Sequence, residues 1–441
     1  MSTVTPSSAP TMAPIGERRP ITTTSLGRFL AVRRNTILTV GGILLALMSI
    51  TRLWTGEHPL TSSGTIGTAL RLTVPIMLAG LAALWAERCG VLNIGIEGMM
   101  ILGTWGAGFG AWKWGAWVGL GLGILGGMLG GLIHAVATVR FNVDQVISGV
   151  VLNIFGFFGA RYLSDLIFVG EQGGGVSQSP QQKSGIPKFD TPFLAGGDLF
   201  GWKSPDFFGW LEKKRWFLVG DIGGIGKGLT VNLSWLTVLA VLMVPLTFWI
   251  MWRTRFGLRL RSSGEAPSAA ESLGVKVIPL RYAGLLISGA LAGFGGATLA
   301  IVASSYYRQG QTGGRGFIGM AAMIFGNWRP LGIAGGAAVF GYSDGVKLVA
   351  SSSLPALFLF VTLVAGLMVI VSLVRKRTIT VITAFVTGAL FFTAYLTVKE
   401  VPESLTQSVP YVATLVVLAT ASKRLRPPAQ AGVKYRPGEG H

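Results

Sequence analysis

The chain has 441 residues, 50% of them hydrophobic and only 12% charged, against roughly 25% charged in an ordinary soluble domain. Many apolar runs reach the roughly 20 residues that cross about 30 Å of hydrocarbon. A soluble enzyme is excluded, and an all-α, polytopic integral membrane protein is predicted. The formal net charge of +19 would suggest nucleic acid in a soluble protein. Here Lys and Arg gather at the ends of apolar runs, where they act as topology determinants and lipid anchors, so the expected partner is a lipid membrane and no nucleic acid. Cys89 is the only cysteine and the three histidines are scattered, which gives neither a disulfide framework nor zinc-type spacing.

Residues 1–34 are rich in Ser, Thr and Pro and then basic (Arg18, Arg19, Arg28, Arg33, Arg34). This composition predicts a disordered cytoplasmic tail rather than a cleaved signal peptide. The transmembrane region is expected over 35–422, with apolar runs near 36–54, 66–86, 91–111, 115–139, 145–167, 232–252, 282–304, 316–326, 332–350, 355–374, 378–397 and 408–422. These amount to about 10–12 transmembrane helices. An external loop is expected at 168–231, a cytoplasmic loop at 253–281 and a cytoplasmic C-terminal tail at 423–441. Arg88, Arg140, the Arg253–Arg261 cluster, Arg329, Arg375–Arg377 and Lys423–Arg426 fall on alternate connections, which places both termini in the cytoplasm.

The run at 316–326 would make a helix of only about 16 Å, too short to cross alone. It resembles an earlier segment: NIGIEGMMILGTW (Asn93–Trp105) and FIGMAAMIFGNW (Phe317–Trp328) share Ile-Gly, Met, an apolar pair, Gly and Trp with one gap. The two copies run in opposite directions through the membrane. Broken segments in matching positions of inverted halves point to a substrate pathway near the midplane. Candidate pathway residues are Asn93, Glu97 and Asn153 in the first half, with Phe317 and Asn327 in the second. Glu97 either binds a polar solute or is a packing residue neutralised by Arg71 or His134, because a bare charge there costs roughly 2.5–3.5 kcal/mol. Asn93 and Asn153 face either the pathway or a neighbouring helix. Arg161 and Asp165 have the spacing of a helix ion pair, and Asp344 and Lys347 read as structural.

Glycine is abundant, and Gly119–Gly131, Gly289/Gly293 and Gly332/Gly336 supply small-xxx-small pairs for close helix approach. Gly121-x-Gly123-x-x-Gly126 matches a dinucleotide fingerprint only formally, since no strand precedes it. Gly223–Gly228 (GGIGKG) lacks the spacing and the Ser or Thr of a phosphate loop. No nucleotide site, metal set or nucleophile–base arrangement is encoded, so the chain is not expected to be an enzyme and needs no cofactor of its own. The external loop carries Phe189, Phe193, Phe200, Trp202, Phe207, Phe208, Trp210, Trp216 and Phe217, suited to a membrane interface or to docking an external protein.

The cytoplasmic loop is too short for an enzyme domain but can plug into one. Gly264-Glu265-Ala266-Pro267 breaks one helix and starts another. Ala269, Ala270 and Leu273 give a small-residue face, and Gly274 ends the turn.

AERCGVLNIGIEGMMILG (Ala86–Gly103), FGLRLRSSGEAPSAAESLGV (Phe256–Val275) and GRGFIGMAAMIFGNWRPLG (Gly314–Gly332), with LTQSVPYVATLVVLA and PPAQAGVKY near the end, resemble one family. It is the permeases of bacterial ABC importers for branched-chain amino acids, simple sugars and nucleosides. The forms are most similar to one of the two permeases of nucleoside-type uptake systems. The resemblance implies a multi-pass bacterial inner-membrane protein and a partner ABC ATPase subunit that binds the ATP. It further implies a second homologous permease and an external solute-binding lipoprotein, with Gly264–Gly274 meeting the ATPase. The chain departs from the pattern at Ala266, where Asn or His is common, in the enlarged loop near 195–228, and in two extra spans near 355–397. An ion-coupled secondary transporter is the principal alternative, with Glu97 its one good coupling carboxylate; a membrane-embedded enzyme ranks last.

Overall fold

The computed structural model describes residues 23–56, 60–192, 194–199, 201–349, 354–398, 425–436 and 438. The expected tail 1–22, Phe193, Phe200, the run at 408–422 and Lys423 lie outside the described residues.

The helices are α1 (Thr23–Thr55), α2 (Ser63–Arg88), α3 (Ile96–Trp114), α4 (Ala116–Ala135) and α5 (Gln145–Phe168), then α6 (Phe207–Lys214), α7 (Val219–Thr230) and α8 (Trp235–Arg253). They continue as α9 (Arg255–Glu265), α10 (Pro267–Ser272), α11 (Val277–Thr298), α12 (Arg315–Phe325), α13 (Pro330–Val349), α14 (Leu354–Val374) and α15 (Thr378–Thr397). π-helical turns extend α4 over Val136–Arg140 and α11 over Leu299–Ser304. Among the described residues, seven of these helices are long and apolar enough to cross a membrane: α2, α4, α5, α8, α11, α14 and α15, with α4 and α11 counted together with their π turns. The protein is all-α and polytopic. The first helix reaches back to Thr23, so 23–34, expected as tail, is helical.

Polar caps fix several helix starts. Ser62 Oγ accepts from the Thr65 amide at α2, Asp144 from Val146 and Ile147 at α5, Ser234 from Leu236 at α8, and Thr254 from Gly257 at α9. Each satisfies amides that the first turn leaves without a helical partner.

The core is built from two triplets, α2–α3–α4 and α11–α12–α13, that exchange partners. α4 packs on α11 and α13 on α2; α3 packs on α11 and α12 on α2; α2 and α11 face each other. The two triplets thus pack with a mutual exchange of partners, as two internal copies would. Small residues make both crossings close. A Cβ at Gly127 or Gly293 would run into backbone across the α4–α11 contact, and one at Gly341 or Gly345 into Thr73 or Ala69 of α2. Gly80 of α2 meets the Gly319 backbone in α12. In lipid, where burying apolar surface gains little, such backbone approach is the main source of helix affinity. Gly123 and Gly126 belong to the same packing, the latter against the Leu102 carbonyl, so the dinucleotide-like spacing is a helix face.

The segment between α5 and α8 contains α6, α7 and two-residue strand pairings such as Lys188–Phe189 with Leu233–Ser234. Its glycine run lies in α7, where Gly224 and Gly228 press on Thr61 and Ile66, while Lys227 ion-pairs with Asp206 and Glu212, each at 3.7 Å. A buried ion pair, Arg52–Asp221 at 3.3 Å, anchors α7 to α1. Arg52 also donates to the Arg215 and Trp216 carbonyls, and Thr61 bonds the Asp221 carboxylate. Trp202, Trp210, Trp216 and Phe217 remain exposed, while Phe189 packs against Trp235. α14 packs on α15 and α1, and both sit at the rim with mostly exposed surfaces.

Candidate functional site

α2 stops at Arg88 because Gly90 turns at φ +89°, and α3 does not begin until Ile96. Backbone groups released by such a break need partners inside the membrane layer. Four side chains supply them. Asn93 accepts from the Gly95 amide (3.0 Å) and donates to Ser288 Oγ (3.1 Å). Asn153 on α5 accepts from the Gly98 amide (2.7 Å) and donates to the Ile94 carbonyl (3.0 Å). Gln145 accepts from the Leu92 amide at 2.6 Å, and His134 Nε2 lies 3.1 Å from the Leu92 carbonyl. Asn93 and Asn153 are therefore bound up with the break itself.

Glu97 is buried in the first turn of α3 and reaches across to the second broken helix. Its carboxylate accepts from the amides of Gly314 (2.9 Å) and Gly316 (2.7 Å) at the start of α12. Gly314, the cap residue at φ +77°, offers no side chain of its own, and a carboxylate at a helix N-terminus meets both free amides and the positive end of the dipole. The partners expected from sequence are wrong: Arg71 donates to Thr68 Oγ1 and His134 contacts Ser148 and Leu92. The nearest bonding groups to Glu97 are backbone amides brought in by folding, which no side-chain charge pattern reveals.

Phe317 is 45% exposed on α12 and is not enclosed with the other candidates. Asn327 departs further from expectation. It follows the end of α12 at φ +52° and accepts from the Arg426 amide at 2.8 Å, on the face that carries α9 and α10. A helix of eleven residues spans about 16 Å, enough to carry its far end from mid-depth to the membrane surface. Arg161 and Asp165 are both exposed and form no ion pair among the described residues, whereas Asp344 pairs with Arg315 at 3.3 Å.

The segment expected to meet an ATPase lies on a face formed by α9, α10 and the ends of α2 and α12. Ala266 (φ −149°) breaks the chain between α9 and α10, Pro267 opens α10 and Gly274 (φ +79°) closes it. Gly264 abuts Gly90 so closely that a Cβ on either would meet the other's backbone. Arg88 ties this contact down, reaching Glu265 Oε1 at 3.3 Å and the Trp328 carbonyl at 3.0 Å. The Trp328 indole donates to Glu87 Oε2 at 2.6 Å, and Ser263 Oγ to the Cys89 carbonyl at 3.4 Å. Ala270 is buried, Ala266 and Ala269 are exposed, and Leu273 stands out at 84% exposed. The contacts of Glu87, Arg88 and Trp328 that join this segment to α2 and α12 were not legible in the sequence; their only signal was adjacency to the two repeated motifs.

A family profile described as the branched-chain amino acid transport system permease component matches residues 65–373. The chain belongs to this family. It is thus a permease component of a transport system rather than an enzyme. It is 31% identical over 295 residues to the guanosine ABC transporter permease protein NupQ of Bacillus subtilis, covering 65% of this chain and 82% of that one. Over 379 residues it is 30% identical to the nucleoside ABC transporter permease protein NupC of Lactococcus lactis, covering 84% and 96% of the two. The permease protein TsgC13 of Haloferax volcanii, provisionally a glucose ABC transporter component, is 31% identical over 298 residues, 66% and 79% of the two chains. Weaker matches include second permeases from the same two bacteria. No solved structure matches the chain.

Proposed function

We propose that this permease is one membrane subunit of an ATP-driven importer for a nucleoside or simple sugar. A second homologous permease completes the pore, an ATPase subunit binds the coupling face and an external solute-binding lipoprotein docks on the opposite face. One observation carries this reading: the exposed tip at Leu273 belongs to a segment that is locked, through Gly264 on Gly90 and through Arg88, to the ends of α2 and α12. A partner gripping the tip would move the ends of two core helices. The substrate class follows the relatives' names. The coupling face is assigned to the cytoplasm, and with it both termini, because Arg88, Arg140, Arg253–Arg261 and Arg329 cluster at chain positions on that side. A second permease fits the open flank of α5, where Arg161 and Asp165 lie exposed among Ile154, Phe158 and Tyr162; charges there are costly against lipid alone.

Transport then proceeds by alternating access: closure of the ATPase displaces α10, and the joined broken helices carry the two triplets together against α5 and α8. An ion-coupled mechanism is disfavoured, since the carboxylate it would use, Glu97, is already held by two amides. The test is uptake of radiolabelled guanosine, other nucleosides and glucose by cells expressing the chain with its neighbouring transporter genes. Gly274→Trp and Glu265→Arg should each abolish uptake without loss of membrane-inserted protein. Gradient-driven uptake by the purified chain in liposomes free of nucleotide would overturn the proposal.

A further inference from the structure

The coupling helix α10 is six residues long, far below the roughly 12–15 residues at which an isolated helix becomes marginally stable. It is joined to α9 through the break at Ala266. A push on Leu273 could therefore swing α10 about Ala266 without displacing α2, unless something outside the helix fixes its angle. The C-terminal segment lies across this hinge. The Gln430 amide donates to the Gly264 carbonyl (3.0 Å) and the Ala429 amide to Glu265 Oε2 (3.2 Å), both at the end of α9. Past the hinge, Tyr435 OH donates to Glu271 Oε2 on α10 at 2.6 Å, and the Gly438 amide approaches the same oxygen at 3.4 Å.

The segment is itself anchored on three further elements. The Arg426 amide bonds Asn327 beyond α12, and the Val433 carbonyl accepts from Gln145 at the start of α5 (3.5 Å). The Tyr435 ring covers the Arg281 guanidinium of α11 at 5.0 Å. Arg281 is 3% exposed, and its Nε and Nη2 find no hydrogen-bond partner among the described residues, so the aromatic face is a main source of its electrostatic stabilisation. Burial, and then Glu271, push the Tyr435 phenol up to about 12, so it remains a donor at any physiological pH.

We propose that residues 426–435 form a strap that sets the angle of α10, with Tyr435 as the positioning residue that converts a force on Leu273 into movement of α2 and α12. The inference rests on the permease–ATPase reading above. Glu265, Glu271 and Gly264 become the three points at which the strap grips the coupling segment, one side of the hinge against the other. Deleting the phenol hydroxyl leaves the ring on Arg281 but frees α10 to swing.

The experiment measures uptake by the full assembled transporter in cells, with guanosine as probe, or glucose where that is the solute wild-type cells take up. Tyr435→Phe and Glu271→Ala should each lower Vmax about tenfold, as expected for loss of a hydrogen bond to a charged acceptor. KM should be unchanged, because the solute site is untouched, and membrane abundance and protection of Cys89 from maleimide should match wild type. The double variant should be no slower than either single one, the signature of a shared interaction. Wild-type uptake by Tyr435→Phe, or a double-variant loss equal to the product of the single losses, overturns the strap. Leu273→Asp separates the two levels of the argument. If it abolishes uptake while Tyr435→Phe does nothing, only the strap fails; if it leaves uptake normal, the ATPase-docking reading fails and takes the strap with it.

Discussion

Replacing Glu97 distinguishes a residue that joins two broken helices from one that binds solute or carries a coupling proton. Glu97→Ala leaves the Gly314 and Gly316 amides, now paired at 2.9 and 2.7 Å, without acceptors in a buried site. Each charge-assisted bond contributes roughly 1.5–3 kcal/mol, so the loss is about 3–6 kcal/mol, with a smaller dipole contribution included. With an unfolding entropy of roughly 2.1 cal/mol/K per residue, a chain of 441 residues loses about 1 °C of Tm per kcal/mol. Glu97→Ala should therefore melt about 3–6 °C lower than wild type in detergent. Glu97→Gln keeps one carbonyl acceptor but turns an amide NH2 toward the helix N-terminus, and should fall between the two. Both variants should lose uptake in proportion to the folded protein in the membrane, with the KM of the remainder unchanged. A Glu97→Gln protein with wild-type Tm and a tenfold higher KM, or with a shifted pH profile of transport, would refute the capping role.

Three other perturbations follow from the packing. Asp221→Asn removes the charge partner of the buried Arg52 guanidinium, leaving it only the Arg215 and Trp216 carbonyls, and should cost about 3–5 kcal/mol, as breaking a buried pair does; limited proteolysis should then cut between α5 and α8 first, and the Arg52→Leu/Asp221→Leu double variant should recover part of the resistance. Gly293→Leu places a side chain where the α4 backbone already sits, and should abolish recovery of monodisperse protein, whereas Gly121→Leu, with nothing near its Cβ position, should be tolerated. Cys89 is fully buried, its thiol near the Ala86 carbonyl at 3.0 Å. Maleimide should therefore label the native protein only after denaturation, and rapid labelling in intact membranes would contradict the packing of the α2 break.

The fold was legible wherever one local pattern dominated. Apolar length located the spans, and the Asn93–Trp105 and Phe317–Trp328 copies located the broken helices and their inverted arrangement, because Gly and Trp at fixed spacing survive as packing constraints. The break between α9 and α10 was equally readable, since Ala266-Pro267 and Gly274 impose backbone breaks whatever surrounds them. The roles of Glu97, Asn93, Asn153 and Asn327 were not. The polarity of each side chain is all that the sequence shows, whereas its partner is a backbone group, two residues away for Asn93 and on a distant segment for the other three. For Asn327 and Arg426 that separation is 99 residues. Backbone groups carry no sequence signature, so a polar side chain beside a helix break looks the same whether it binds a solute or mends the break.

This distinction bears on how the protein can move. With Asn93, Asn153, Gln145 and His134 satisfying the break after α2, and Glu97 joining α3 to α12, the two broken helices form one hydrogen-bonded unit. Opening it would strand several buried polar groups at once, each at roughly 1–3 kcal/mol, more than a typical allosteric coupling of about 1–3 kcal/mol supplies in total. The break is therefore a joint between rigid parts and not a hinge that melts. Displacement entering at Gly264 and Arg88 passes into α2 and α12 together, and must be relieved where the unit meets less tightly bound neighbours. α8 and the outer flank of α5 meet that description: only 33% and 28% of their spans are buried, against 89% for α2. On the proposed function, the substrate passage should accordingly open along α5, with Asn153 riding on the moving boundary as a fastener rather than serving as a ligand.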